Sequence, residues 1–403
     1  MANVIELNGR RYHKPKCPTV VICVDGCDPE YLERGIPDGV FPTIGSFRHR
    51  GYLGTAAAAM PTFTNPNNVS IVTGAPPSVH GIAGNYYLDR ETGREIMMTD
   101  ERLMRSETIL ALMAAAGVKT AAITAKDKLR RLLGRNLDGV CFSSECAGPE
   151  MEAMVGRARP DMYSADLSLF VLDAGIALLK EQAVELLYLS LSDYVQHAHA
   201  PGDPTADAFH HAIDDRVRGF VELGAVVGLV ADHGMNDKAL PGGAPNVIFL
   251  EDVLNERFGA GTVRVICPIT DPFVRHHGAL GSFVRGYLRR DVDLSSVIAA
   301  SAELPGVALA VDGAEAARRF ELPLDREADF VVLGDANTAI GATRAEHDLT
   351  SLAGHRLRSH GGHGERQVPF ILSRPLTPEY REIATASRLR NFDIFDFALN
   401  GVE

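Results

Sequence analysis

Asp25, Asp193 with His197, Asp232 with His233, and His360 supply carboxylate and imidazole groups in four separated stretches of the chain. This donor set suits divalent zinc, whose catalytic sites take three protein ligands and keep a position open. Six ligands therefore predict two zinc sites. Two cations a few ångströms apart stabilise both the attacking and the departing group of an in-line displacement at phosphorus, so the chemistry expected is phosphoryl transfer.

Each cluster alone has a plainer explanation. Asp193 and His197 are four residues apart and share one face of a helical turn, where a surface ion pair is common. Asp232-His233 and Asp25 alone read as turn residues or caps. His360 and His363 compete for the last ligand position in Ser359-His360-Gly361-Gly362-His363-Gly364-Glu365, where glycine allows close backbone approach. Thr64, in Pro61-Thr62-Phe63-Thr64-Asn65-Pro66-Asn67, becomes a nucleophile only if a metal lowers its pKa, and Thr62 is its rival. A helix starting at about Asn68 would turn a favourable amino end toward an anion. Lys126 and Lys128 follow a strand; pointed into the site, they would bind a second anionic group of the substrate. Arg275 and His276 are candidates for the same anion.

The elements that must position these residues decide between the readings. Pro18–Val24, Glu185–Ser190 and Ala225–Val230 are short, continuous apolar runs of the kind that form strands buried on both faces. Asp25, Asp193 and Asp232-His233 follow their ends. Ligands of open α/β sheets bind beyond the carboxyl ends of strands, so the three runs bring the clusters to one edge. Ser106–Ala116, with Ser106 as its cap, and Thr205–Glu222 read as helices, and Lys119–Thr124 as another strand. This alternation predicts an α/β fold with a mostly parallel central sheet and helices on both faces. Between 260 and 345 the rhythm shortens, with strand-like Val263–Cys267, Val307–Val311 and Phe330–Leu333. We expect a smaller inserted α+β cap there, with residues 1–259 and 346–403 forming the core, which regains a strand at Val368–Leu372.

Forty basic against fifty-two acidic residues leave a formal charge of −12, which argues against non-specific nucleic-acid or anionic-membrane binding. The first residues lack a long apolar stretch, no run approaches the roughly 18 apolar residues of a membrane span, and the six cysteines show no CxxC spacing. A cytoplasmic protein with reduced thiols is expected.

Pro61–Asn67, followed by Val72-Thr73-Gly74, Pro77, His80-Gly81-Ile82 and Gly84-Asn85, resembles the nucleophile segment of the alkaline phosphatase superfamily, in its nucleotide pyrophosphatase/phosphodiesterase-like branch. The resemblance runs on through Asp193-x3-His197, Asp232-His233-Gly234-Met235 and His360-Gly361-Gly362. It implies an alkaline-phosphatase-like core and two zinc ions: Asp25, Asp232 and His233 would hold the one that activates Thr64, and Asp193, His197 and His360 the other. It further implies that Asn85 holds a phosphoryl oxygen and that His360, not His363, is the ligand. Lys126 and Lys128 resemble carboxylate-binding lysines that ordinary phosphodiesterases of the branch do not need; with them, less directly, go Arg275 and His276. The implied substrate is a small phosphonate, phosphonoacetate, split at its carbon–phosphorus bond, with a phosphodiester as the alternative. A homodimer is the implied assembly to test.

Overall fold

The computed structural model describes residues 3–269, 279–289, 291–352 and 354–403. Among them, seven strands form the central sheet: β1 (Thr19–Cys23), β2 (Tyr52–Ala57), β3 (Thr120–Thr124), β4 (Val140–Ser143), β5 (Leu186–Ser190), β6 (Val226–Val230) and β7 (Gln367–Leu372). Their order is β2-β7-β6-β1-β5-β3-β4. All pairs from β6 to β4 are parallel, while β7 runs antiparallel to both of its neighbours.

The apolar runs make strands because both of their faces are covered. Every residue of β1, β3, β5 and β6 is buried. In β5, the Tyr188 ring lies 5.9 Å from Phe395 of the helix Ile394–Asn400. Its neighbour Leu189 lies beside Gly175 of the helix Asp166–Lys180, next to Phe220 of the helix Pro204–Glu222. Successive strand residues point to opposite faces, so helices pack on both. Burying each such Val, Leu or Ile contributes about 1.5–3 kcal/mol.

Register fixes what the carboxyl edge presents. Cys23 is level with both Ser190 and Val230, and Ser190 with Thr124. Asp25, Asp232 and Lys126 therefore each lie two residues beyond one common line, and Asp193 three.

A second, four-stranded antiparallel sheet is built in the spatial order Val263–Ile266, Phe283–Leu288, Phe330–Gly334, Val307–Asp312. The helices Leu294–Ala302 and Gly313–Phe320 pack against it. Its core also takes Leu250 and Leu254, from a helix preceding position 260, and Met60 and Phe63 beside the Thr64 segment. One helix start differs from expectation. Thr108, not Ser106, caps the helix Ile109–Ala115 by accepting from the Ala111 amide, while Ser106 donates to the Glu107 carbonyl. Among the described residues, no helix is long and apolar enough to cross a membrane.

Candidate metal centre and active site

At the carboxyl edge, the expected ligands meet. His197 Nε2 lies 2.8 Å from Asp193 Oδ2, and His360 Nε2 lies 3.8 Å from the same oxygen. His233 Nε2 lies 3.3 Å from Asp25 Oδ1 and 3.8 Å from Asp232 Oδ2. The rings of His233 and His360 stack at 3.6 Å, so the two groups of ligands are contiguous.

Two metal-sized groupings result among the described residues: Asp193, His197 and His360; and Asp25, Asp193 and His233. In each, the donor atoms all lie within 4.8 Å of one another. Asp193 thus belongs to both, where the expected partition had Asp232 in the second. Asp232 borders that set with its oxygens engaged: Oδ1 accepts from the Gly26 and His233 amides, and Oδ2 from Asn68 Nδ2.

Two observations fit this donor set to cations. First, each histidine makes an Nδ1 contact with a backbone carbonyl: His197 with Arg358 (2.8 Å), His233 with Gly234 (2.9 Å) and His360 with Thr62 (2.7 Å). With the proton on Nδ1, Nε2 presents its lone pair to the site. Second, Asp25 Oδ1 is buried and forms no hydrogen bond. Burial, then the charges of Asp193 and Asp232, pushes the Asp25 carboxyl well above the usual carboxylate range. Burial, followed by the neighbouring His233 and His197, lowers the His360 imidazole far enough to keep it neutral, the form that ligates metals. A cation would relieve the crowding of carboxylates.

Thr64 opens the helix Thr64–Thr73, four residues earlier than expected, and so stands at its positive end. Its Oγ1 is 3.4 Å from His233 Nε2. Thr64, Asn85, Lys126, Lys128, Asp25, Asp193, His197 and His360 line one cavity. Thr62 is fully buried elsewhere: its hydroxyl accepts from the Gly361 amide and donates to the Gly362 carbonyl, while its carbonyl meets His360. His363 lies outside the cavity lining, with its ring 5.5 Å from Phe320. Arg275 and His276 lie outside the described residues.

Glycine is required at two points. Gly26 has φ +67°, and a Cβ there would come within 3.1 Å of Asp193 Cβ; at Gly361, with φ +120°, it would meet Phe63 at 2.6 Å. Both loops close onto the ligands only without a side chain.

Sequence reasoning missed the residues that hold these groups in place. Asn68 Nδ2 donates to the Thr64 carbonyl and to Asp232, while Asn68 Oδ1 accepts from Tyr188 and Ser190. Its i+4 spacing from Thr64 was the available signal. Arg285 pairs with Glu327 at 2.6 Å and donates to the Ala83 carbonyl, bracing the segment that carries Asn85. Glu365 accepts from Lys238 (2.7 Å), Asn236 and the Gly362 amide, and its carbonyl accepts from Gly234, so it joins the His233 and His360 loops. Lys238 and Glu365 are fully buried, and Lys238→Met strands a carboxylate. We expect a loss of about 3–5 kcal/mol, read from the denaturant midpoint. An unchanged midpoint would show that the pair carries no such weight.

Comparisons with known proteins bear on the family to which this fold belongs. A family model described as type I phosphodiesterase / nucleotide pyrophosphatase matches residues 19–364. A crystal structure of phosphonoacetate hydrolase from Sinorhizobium meliloti in complex with phosphonoacetate superposes with a TM-score of 0.93 at 44% identity, covering 99% of both chains. Ectonucleotide pyrophosphatase/phosphodiesterase 1 of Saccharomyces cerevisiae is 24% identical over 275 residues, 59% of this chain and 36% of its own. The chain therefore spans only about a third of the length of that curated relative. A phosphonoacetate hydrolase of Penicillium oxalicum is 51% identical over 49 residues, 11% of this chain and 68% of its own. On the extent of the family match and the near-complete superposition, the chain belongs to the type I phosphodiesterase / nucleotide pyrophosphatase family.

Proposed function

We propose that the protein is a di-zinc phosphonoacetate hydrolase that forms acetate and phosphate by way of a phosphorylated Thr64. The observation that carries this reading is the cavity itself: Lys126 and Lys128 share its wall with Thr64 and the carboxylate–imidazole set. Phosphoryl chemistry explains the latter, and two lysines on the same wall suit a substrate with a second anionic group. The 44%-identical enzyme solved with phosphonoacetate supports the same substrate.

Asp193, His197 and His360 would hold one zinc, and Asp25 with His233 the other, with Asp193 shared or Asp232 completing it. When bound, the metals supply Lewis acidity to the nucleophile and to the departing group. Thr64 Oγ attacks phosphorus, and the carbon–phosphorus bond breaks with its electron pair passing to carbon. The adjacent carboxylate delocalises that charge as an enolate, which Lys126 and Lys128 stabilise as cations. The carbon takes up the proton given up by Thr64, which yields acetate. Water then hydrolyses the phosphothreonine to phosphate and regenerates the hydroxyl. Asn85 holds a phosphoryl oxygen throughout, and the helix Thr64–Thr73 directs its positive end at the same group. We assign residues 260–345 as the inserted cap and Arg275 and His276 as its contribution to substrate binding.

Phosphodiester hydrolysis is the second reading, favoured by the description of the family model. Purified protein should contain about two zinc equivalents and lose activity on chelation. It should also turn over phosphonoacetate in clear preference to bis(4-nitrophenyl) phosphate. The opposite preference would select the second reading.

A further inference from the structure

The two cavity lysines are held in different ways. Lys128 sits within the helix Asp127–Leu133, near enough to Asp25 for its charge to favour the ionised carboxylate. Lys126 precedes that helix in extended backbone and is held by a different part of the chain. Its Nζ donates to the Met162 carbonyl at 3.0 Å and lies 5.4 Å from the centroid of the Tyr163 ring.

The turn carrying these two contacts is itself braced. Asp161 Oδ1 accepts from the Tyr163 amide, and the Asp161 carbonyl accepts from the Ser164 hydroxyl, each at 2.7 Å. Tyr163 is 49% exposed, so the core does not explain an aromatic residue there. An ammonium within about 6 Å of a ring centroid is attracted to the ring's face. A lysine side chain has four rotatable bonds, so the groups in contact with its ammonium, the ring face among them, decide where its charge rests.

We propose that Tyr163, with the Met162 carbonyl, is a positioning residue that orients Lys126 toward the carboxylate of the substrate, and so contributes to selection of carboxylate-bearing phosphonates. This rests on the phosphonoacetate reading above. Tyr163 touches no reacting atom; its effect passes through the Lys126 ammonium. The ring, not the hydroxyl, is the operative part.

The test is steady-state kinetics of the full zinc-loaded chain on phosphonoacetate and on 4-nitrophenyl phenylphosphonate, which has no carboxylate. Tyr163→Ala should lower kcat/KM for phosphonoacetate about two- to fivefold and leave the ester's kcat/KM unaltered. Tyr163→Phe should behave as the parent. In a Lys126→Ala background, Tyr163→Ala should add nothing, because the group it acts on is gone. Equal changes on both substrates, additivity in the double variant, or parent-like behaviour of Tyr163→Ala would each overturn the proposal. Failure of the underlying reading is distinguishable: the unsubstituted parent would then release no phosphate from phosphonoacetate.

Discussion

Thr64→Ala should lower turnover about a thousandfold or more while leaving metal content nearly unchanged, because the proposed nucleophile would be removed and every carboxylate and imidazole donor would stay. The expectation follows from where the hydroxyl stands: at the first residue of its helix, on the cavity wall and 3.4 Å from His233 Nε2. Thr62→Ala should have the reverse profile. Its hydroxyl satisfies the buried Gly361 amide and Gly362 carbonyl, so its loss costs about 1–3 kcal/mol per stranded group and loosens the His360 loop, with the nucleophile intact. Phosphate release, zinc content and denaturant midpoint, measured on both variants, separate the two roles. A Thr64→Ala protein with near-parent turnover would mean that water attacks phosphorus directly.

The second large effect is selective. Lys126→Ala should cost about 10- to 150-fold in kcat/KM on phosphonoacetate, the equivalent of a charge-assisted hydrogen bond worth about 1.5–3 kcal/mol. Activity on the carboxylate-free 4-nitrophenyl phenylphosphonate should change little. Lys128→Ala should show the same loss on phosphonoacetate together with a smaller loss on the ester, since Lys128 also favours the charged form of Asp25. Kinetics on both substrates, with zinc content measured on each variant, provide the check. Equal losses on the two substrates for Lys126→Ala would assign it to the phosphoryl group or to the structure.

What was legible in the sequence follows from the physics of buried parallel strands. β1, β5 and β6 are covered on both faces and so appear as unbroken apolar runs, and the polar residues that end them mark the edge where ligands collect. Asp25, Asp193, Asp232 and His233 were identifiable for that reason. The reversed direction of β7 was not legible, because a strand's apolar pattern does not encode the direction of its neighbours. Nor was the bracing of the site. Thr62 and Gly361 are 299 residues apart in the chain, and Lys238 and Glu365 are 127 apart. Their pairing is set by tertiary closure, and the local sequence around each looks like an ordinary loop. Residues 188 and 190 reach Asn68 in the same way, from 120 and 122 positions away. The shared place of Asp193 in both donor groupings depends on side-chain distances that spacing alone does not carry.

Cleavage of the carbon–phosphorus bond can be observed by following phosphonoacetate with zinc-loaded protein by proton and phosphorus NMR. The methylene signal coupled to phosphorus should disappear as acetate and inorganic phosphate rise in equal amounts, and chelation should stop both. A phosphonoacetate spectrum that stays unchanged, while the same preparation hydrolyses bis(4-nitrophenyl) phosphate rapidly, would contradict the proposed cleavage.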